Sequence, residues 1–429
     1  MSLNDRAWET LFDRYEILNE VNEKGFYEIS AKAIKEEREP RLMAKFDHSS
    51  NLPQPFKKNG LSILPISRSS YVIGEFDVYK KVTYNQKLKP IQVDFPSNLT
   101  TIEPTNLYSE SATLHCASAT GMIDYILGED AVQTISGRMS SKHFDFNIKT
   151  RSGIERNVSI KNAQVEIDGG YESDSSFMIV EAKKESVDDF LVRQLYYPFR
   201  LWQEQTYKNV KPVFFTHSND IFSFFIYEFT NPNNYNSLKL IEQKDFVISH
   251  EEIELEDILE VLDKTKTIKE PEIPFPQADS FPRIIDLLGL LMENDLTKEY
   301  ITINYDFDER QTNYYTTAAM YLGLIDRVEQ RNGAKRIVTF RLSNKGKVIM
   351  RYPLKQKYIA LASCIIEHEA FKRVLIEYLQ CGHPPEREKV VEIMLECELF
   401  NVGSESTYFR RASTVTRWVD WILDLPNIY

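Results

Sequence analysis

Between Ala163 and Lys183, two short apolar runs each end in a carboxylate. The first, Ala163 to Ile167, leads to Asp168; the second, Phe177 to Val180, leads to Glu181, with Lys183 two positions on. Gly169, Gly170, Ser173, Asp174, Ser175 and Ser176 lie between them. Apolar β-type runs around a Gly/Ser/Asp turn predict a hairpin. Alternate residues of a strand share a face, so Glu181 and Lys183 point the same way. A hairpin partner brings Asp168 alongside, and two carboxylates and an ammonium then converge on one spot.

Two carboxylates at strand ends suit Mg²⁺, a hard cation that takes oxygen ligands and keeps several waters. Such a cation polarises a phosphoryl oxygen and lowers the pKa of a bound water. A neighbouring lysine orients or deprotonates that water and offsets charge developing on phosphorus. Hydrolysis of a phosphodiester needs these parts and little else.

The flanking sequence predicts an α/β core with a mixed sheet. Trp8, Leu11, Phe12, Tyr15 and Leu18 form one helical stripe over residues 5–20. Residues 61–64 and 71–79 read as strands, 84–107 as polar loop, 110–127 as one helix, and 143–148 as a strand. After the hairpin, Ser186 is placed to cap a helix with Asp188 and Asp189 in its first turn. Two strongly apolar strands follow at 212–217 and 221–229. This first unit spans residues 1–265. Prolines 271, 274, 276 and 282 mark a linker over 266–282.

Beyond the linker, helices at 284–292 and 309–322 precede a hairpin turning at Asn332-Gly333. Helices followed by a basic hairpin describe a winged helix-turn-helix over 283–352. A second helical, winged-helix-like unit occupies 353–429. The net charge of −12 argues against a nucleic-acid partner only superficially. Ten basic residues stand against one acidic residue, Glu329, between Arg327 and Lys357. A local patch, rather than total charge, governs phosphate contact. No apolar run of about 18 residues predicts a membrane span. The four separated cysteines fit a reducing cytoplasm rather than a disulfide framework.

Ile167-Asp168, the turn and Glu181-Ala182-Lys183 resemble the PD-(D/E)XK nuclease signature, with Ile167 where a proline is usual. Phe26 to Asp47, Leu64-Pro-Ile-Ser-Arg, Tyr71-Val-Ile-Gly and Gln194-Leu-Tyr-Tyr-Pro-Phe-Arg are similar to bacterial type II restriction endonucleases. The resemblance covers roughly residues 8–230. It implies a restriction-endonuclease-like core, Mg²⁺ as cofactor, double-stranded DNA as substrate and a homodimer on DNA, in the cytoplasm of a bacterium or archaeon. It makes Asp168, Glu181 and the Ala182 carbonyl metal ligands and Lys183 the catalytic lysine. Gln194 and Tyr197 resemble a glutamine-tyrosine motif one residue short of its usual spacing. The resemblance also calls for an upstream acid: Glu110 first, then Glu129 and Asp130. Glu166 is a substitute ligand in a shifted register.

In a helix-turn-helix the second helix enters the major groove. This nominates Arg310, Gln311, Asn313 and Tyr314, with Arg410, Arg411 and Arg417 in the last helix. Lys335 and Arg336 at the wing tip are expected to hold phosphate, which positions the protein without specifying sequence. The expected activity is site-specific double-stranded DNA cleavage in a restriction-modification system. The rivals are a modification-dependent or repair nuclease, and a non-catalytic DNA-binding regulator with a nuclease-like fold.

Overall fold

The computed structural model describes residues 2–85, 87–107, 109–249, 251–304, 309–332 and 335–429. Helix α1 (Leu3–Arg14) starts at Ser2, whose hydroxyl accepts from the Asp5 N–H while the Asp5 carboxylate accepts from the Ser2 N–H. The stripe expected to form one helix is broken at Glu16. That residue takes a left-handed conformation (φ 47°) and restarts the chain as α2 (Ile17–Lys24). Strand β1 (Phe26–Ser30), α3 (Ala31–Lys35), α4 (Pro40–Ala44), α5 (Gln54–Asn59), β2 (Ser62–Pro65) and β3 (Ser70–Gly74) complete the N-terminal part. Its three strands run in the order β1-β3-β2. Trp8 anchors its core against Phe56, ring centroids 4.7 Å apart, and its indole N–H donates to the Met43 carbonyl at 2.9 Å.

The central part contains β4 (Tyr79–Lys81), β5 (Ile91–Val93), α6 (Glu110–Ala119), α7 (Met122–Leu127), β6 (Val132–Ser140), β7 (His143–Lys149) and β8 (Glu155–Lys161). It continues with β9 (Gln164–Glu172), β10 (Ser176–Lys183), β11 (Asp189–Leu191), α8 (Arg193–Gln203), β12 (Asn209–Ser218), β13 (Ile221–Phe229) and β14 (Leu238–Ile248). Seven strands form one sheet in the order β5-β14-β13-β12-β10-β9-β6. The β10/β12 and β14/β5 pairs are parallel and the rest antiparallel, so the sheet is mixed. Strand β10 lies inside this sheet and is buried along its whole length, as its unbroken apolar run requires.

Alternate residues of β10 feed two cores. Met178, Val180 and Ala182 pack with Leu114, Ala117 and Ile123 of α6 and α7. Phe177 and Ile179 pack with Leu195 and Tyr196 of α8, joined by Phe144 and Phe146 of the separate β7–β8 hairpin. The sheet is thus covered on both faces. Two expectations change here. The helix placed over 110–127 is two helices, divided at Gly121 (φ 75°). Asp188 and Asp189 do not open a helix: Asp189 begins β11, which pairs with β4, and α8 starts at Arg193.

The C-terminal part comprises α9 (Leu255–Lys264), α10 (Phe281–Leu290), β15 (Leu296–Thr297), α11 (Lys298–Asn304), α12 (Glu309–Tyr321), β16 (Ile325–Asn332) and β17 (Lys335–Leu342). Helices α13 (Asn344–Ile349), α14 (Leu354–Ile366), α15 (Glu369–Cys381), α16 (Arg387–Leu395) and α17 (Glu405–Ile428) follow. The strand order β15-β17-β16 is antiparallel throughout. Residues 283–352 and 353–429, read as two units, share one hydrophobic core. The stretch read as a linker is irregular but packed down: Phe275 stacks on Phe371 at 5.5 Å, and the Trp418 indole donates to the Ala278 carbonyl at 2.7 Å. The Gly333-Ala334 turn lies outside the described residues. Among the described residues no helix is long and apolar enough to cross a membrane.

Candidate active site

Strands β9 and β10 pair from Phe177↔Glu172 to Val180↔Gly169, and the ladder stops one step short of Glu181. The other edge of β9 explains the opening. Ile135 pairs with Gly170 and Gly137 with Ile167, so Asp168 and Gly169 stand opposite the single residue Ser136. This bulge interrupts the alternation beside Asp168, and bulges of this kind re-aim side chains. Gly169 is needed at the crossing, because a Cβ there would lie 2.8 Å from the Tyr171 ring and 3.1 Å from Leu114. The Asp168 carboxylate turns to the end of β10 and accepts from the Ala182 N–H at 2.8 Å.

Strand β10 stays paired with β12 as far as Lys183↔Thr216, so Glu181 and Lys183 are held rigidly on one face. The Glu181 carboxylate accepts from the Lys183 ammonium and from the Gln194 amide. Gln194 reaches it from the first turn of α8. The ammonium also donates to the Ala182 carbonyl at 3.2 Å. Glu110 is the first residue of α6, whose N-terminus is capped by Ser109, and its Oε1 lies 4.0 Å from Lys183 Nζ. Of the three upstream acids, Glu110 therefore stands at the trio. Glu129 instead caps the far turn of the hairpin, accepting from the Ser175 N–H at 3.1 Å and its hydroxyl at 2.8 Å. Asp130 is exposed. Glu166 is exposed beside Arg138, 3.1 Å away.

A further acid comes from the N-terminal part. Asp47 is mostly buried, with Lys45 3.5 Å away. Its carbonyl accepts from the Leu191 N–H at 2.9 Å, and next to it Ser49 donates through its N–H (2.9 Å) and hydroxyl to the Asp189 carboxylate. These bonds fasten residues 47–49 to β11, just before α8. Sequence reasoning placed Asp47 at the end of a stretch that resembles restriction endonucleases but gave it no role. Its only signal was a lone acid in Lys45-Phe-Asp47-His48, since the fold alone brings it near Lys183.

The charges of four carboxylates thus act on one buried ammonium. Burial pushes Glu181 up to about 7 against the pull of Lys183, and pushes Asp168 up to about 6. Burial also raises Glu110, with the charges of Glu181 and Asp47 adding to it. Burial works against the charged form of Lys183, but Glu181, Glu110, Asp47 and Asp168 together hold its ammonium well above the ordinary lysine value. Burial alone would raise Asp47, yet Lys183, then Lys45, Arg193 and His48 keep it below the usual carboxylate range.

Among the described residues no three His, Cys, Asp or Glu side chains already stand at metal-ligand spacing. The donor set nevertheless fits a hard divalent cation. It is all oxygen, its acidic charge exceeds that of the lysine, and two buried oxygens, Asp47 Oδ1 and Gln194 Oε1, have no hydrogen-bond partner among the described residues. The residues that would hold it are Asp168, Glu181, the Ala182 carbonyl and Glu110.

The nominated DNA-reading residues gather on α12 and α17. Arg310 donates to the Tyr314 hydroxyl at 2.5 Å and stacks over its ring at 5.3 Å, while Asn313 is exposed and Gln311 half-buried. Burial lowers Arg411 to about 10, followed by the neighbouring charge of Arg410, with Tyr314 opposing. Arg411 is therefore close to α12. Arg410 and Arg417 are exposed, the latter 3.8 Å from Asp279. The Lys335 and Arg336 side chains lie outside the described residues.

Three family models match the chain, and each is a domain of unknown function: residues 5–73 match DUF6996, 74–247 DUF6997 and 283–427 DUF7226. No curated protein and no solved structure matches. The site draws on two of these stretches. Asp47 comes from the first; Glu110, Asp168, Glu181, Lys183 and Gln194 come from the second.

Proposed function

We propose that the chain is a Mg²⁺-dependent, site-specific double-stranded DNA endonuclease of the PD-(D/E)XK type, acting as a homodimer on DNA in a restriction-modification system. The observation that carries this reading is the meeting of Asp168, Glu181 and Lys183 at the open end of the β9–β10 pair. The sheet covered by helices on both faces supports a restriction-endonuclease-like core. Helices α10, α11 and α12 with the β15-β17-β16 sheet support a winged helix beside it.

When bound, Mg²⁺ supplies Lewis acidity at a phosphoryl oxygen. Asp168 and Glu181 hold the charge that fixes it, and Gln194 orients Glu181. Lys183, kept charged by its carboxylates, hydrogen-bonds the attacking water or a non-bridging phosphate oxygen and stabilises the charge that builds there. Water attacks phosphorus in line as the bond to the leaving sugar oxygen breaks; the water gives up its proton to solvent, and the leaving oxygen takes one from solvent.

Incubation of methylated and unmethylated plasmids with Mg²⁺ tests the proposal, using wild type, Asp168→Ala and Lys183→Ala. Discrete fragments from wild type and about a hundred- to thousandfold slower cleavage by both variants are expected, the scale on which loss of a principal electrostatic group acts. Cleavage of methylated DNA alone would replace restriction by a modification-dependent nuclease. Binding without cleavage of either plasmid would point to a DNA-binding regulator.

A further inference from the structure

Asp47 reaches the site from a stretch that belongs to a different family match from the rest of the trio's surroundings. Its position is built rather than incidental. The backbone bond from Leu191 and the Ser49–Asp189 bonds hold it on both sides. The His48 ring adds a third tie, with Nδ1 2.6 Å from the Asp189 carbonyl. A carboxylate oxygen buried with no hydrogen-bond partner is costly unless something else satisfies it, and among the described residues Asp47 Oδ1 is such an atom. The nearest cation, Lys45, is half-exposed and 3.5 Å from the other oxygen, so it does not satisfy Oδ1. The other charges that act on Asp47 are Lys183, a member of the trio, then Arg193 and His48.

We propose that Asp47 is part of the cation-holding set, so that the N-terminal stretch completes a site otherwise built on the central sheet. The inference rests on the nuclease reading, because it presumes a divalent cation at Asp168 and Glu181. It assigns residues 5–73 a part in the chemistry, beyond packing against the central sheet's unit. It also means that separating the N-terminal stretch from the core would weaken cation binding even where the trio is intact.

Ca²⁺ serves as probe, with binding to the full chain followed by titration calorimetry. The variants are Asp47→Asn, which keeps the shape and the backbone bond to Leu191, and Asp47→Ser, should the amide clash. Asp168→Asn and Glu129→Gln are the controls, and thermal unfolding verifies that each variant folds. The expected result is about 10- to 100-fold weaker Ca²⁺ binding for the Asp47 variants, the range seen when groups supporting a metal site are removed. Glu129→Gln, remote from the site, should match wild type. Wild-type affinity in the Asp47 variants alongside loss in Asp168→Asn would overturn the role of Asp47 and leave the nuclease reading standing. No Ca²⁺ binding by wild type would overturn both.

Discussion

Glu181 and Asp168 carry opposite demands. Burial favours their neutral forms, at about 7 and about 6, while a cation needs them charged. Binding must therefore release protons, and affinity should climb with pH. Below about pH 6 both carboxyls hold protons, and above about pH 7 both are ionised. Ca²⁺ affinity measured from roughly pH 5.5 to 8 should rise steeply and then level off. A flat profile would remove these two groups from the ligand set. At this scale the trio was legible because it is local: one hairpin brings Asp168, Glu181 and Lys183 together. Asp47 was not, because no local pattern links it to Lys183. Glu129 was a misleading candidate, since a carboxylate that caps a turn looks the same in sequence as one that faces a site.

Helix α10 grips the chain just beyond the end of β10 and at the end of β12. The Asp286 carboxylate accepts from the Ser186 N–H and hydroxyl, both at 3.2 Å, and from the Ser218 hydroxyl at 2.8 Å. Lys184 meets Glu293 at 2.8 Å, and Arg283 meets Asp188 at 2.9 Å. Burial pushes Asp286 up to about 6 from 3.8 despite these bonds, a rise worth about 3 kcal/mol. Because the folded value lies above the unfolded one, its contribution to stability is full below about pH 4. It is lost as pH rises through about 6. Asp286→Asn removes that loss. Urea midpoints at about pH 4.5 and 7.5 should fall with pH more steeply for wild type than for the variant. Equal slopes would mean that the carboxyl ionises without penalty. The apolar strands β10, β12 and β13 were readable from their runs. Strands β6 and β14 were not, because β6 is a bulged, largely exposed edge and polar residues occupy the middle of β14. Strand β11 imitated a helix start because Asp189 is an acid after a serine. Its carboxylate actually serves Ser49, 140 positions away.

Across the whole molecule, a chain of net charge −12 must still approach a polyanion if it cuts DNA. The one core shared by residues 283–352 and 353–429, matched by a single family model, packs both α12 and α17 against α10. The boundary drawn from sequence at 352/353 missed this, because helical periodicity marks each helix but not which helices share a core. The junction holds Arg411, whose Nε is buried with no hydrogen-bond partner among the described residues, next to Arg410 and Tyr314. A half-buried guanidinium repelled by its neighbour is well placed to gain from a phosphate. Arg417, exposed beside Asp279, already has a counter-charge and stands to gain less. Binding of duplex DNA in Ca²⁺ across a salt series separates the two. Arg411→Ala should weaken binding of all sequences alike and reduce the salt slope by about one, whereas Arg417→Ala should change it little. An unchanged slope for Arg411→Ala, with altered preference among sequences, would move Arg411 from phosphate contact to base reading.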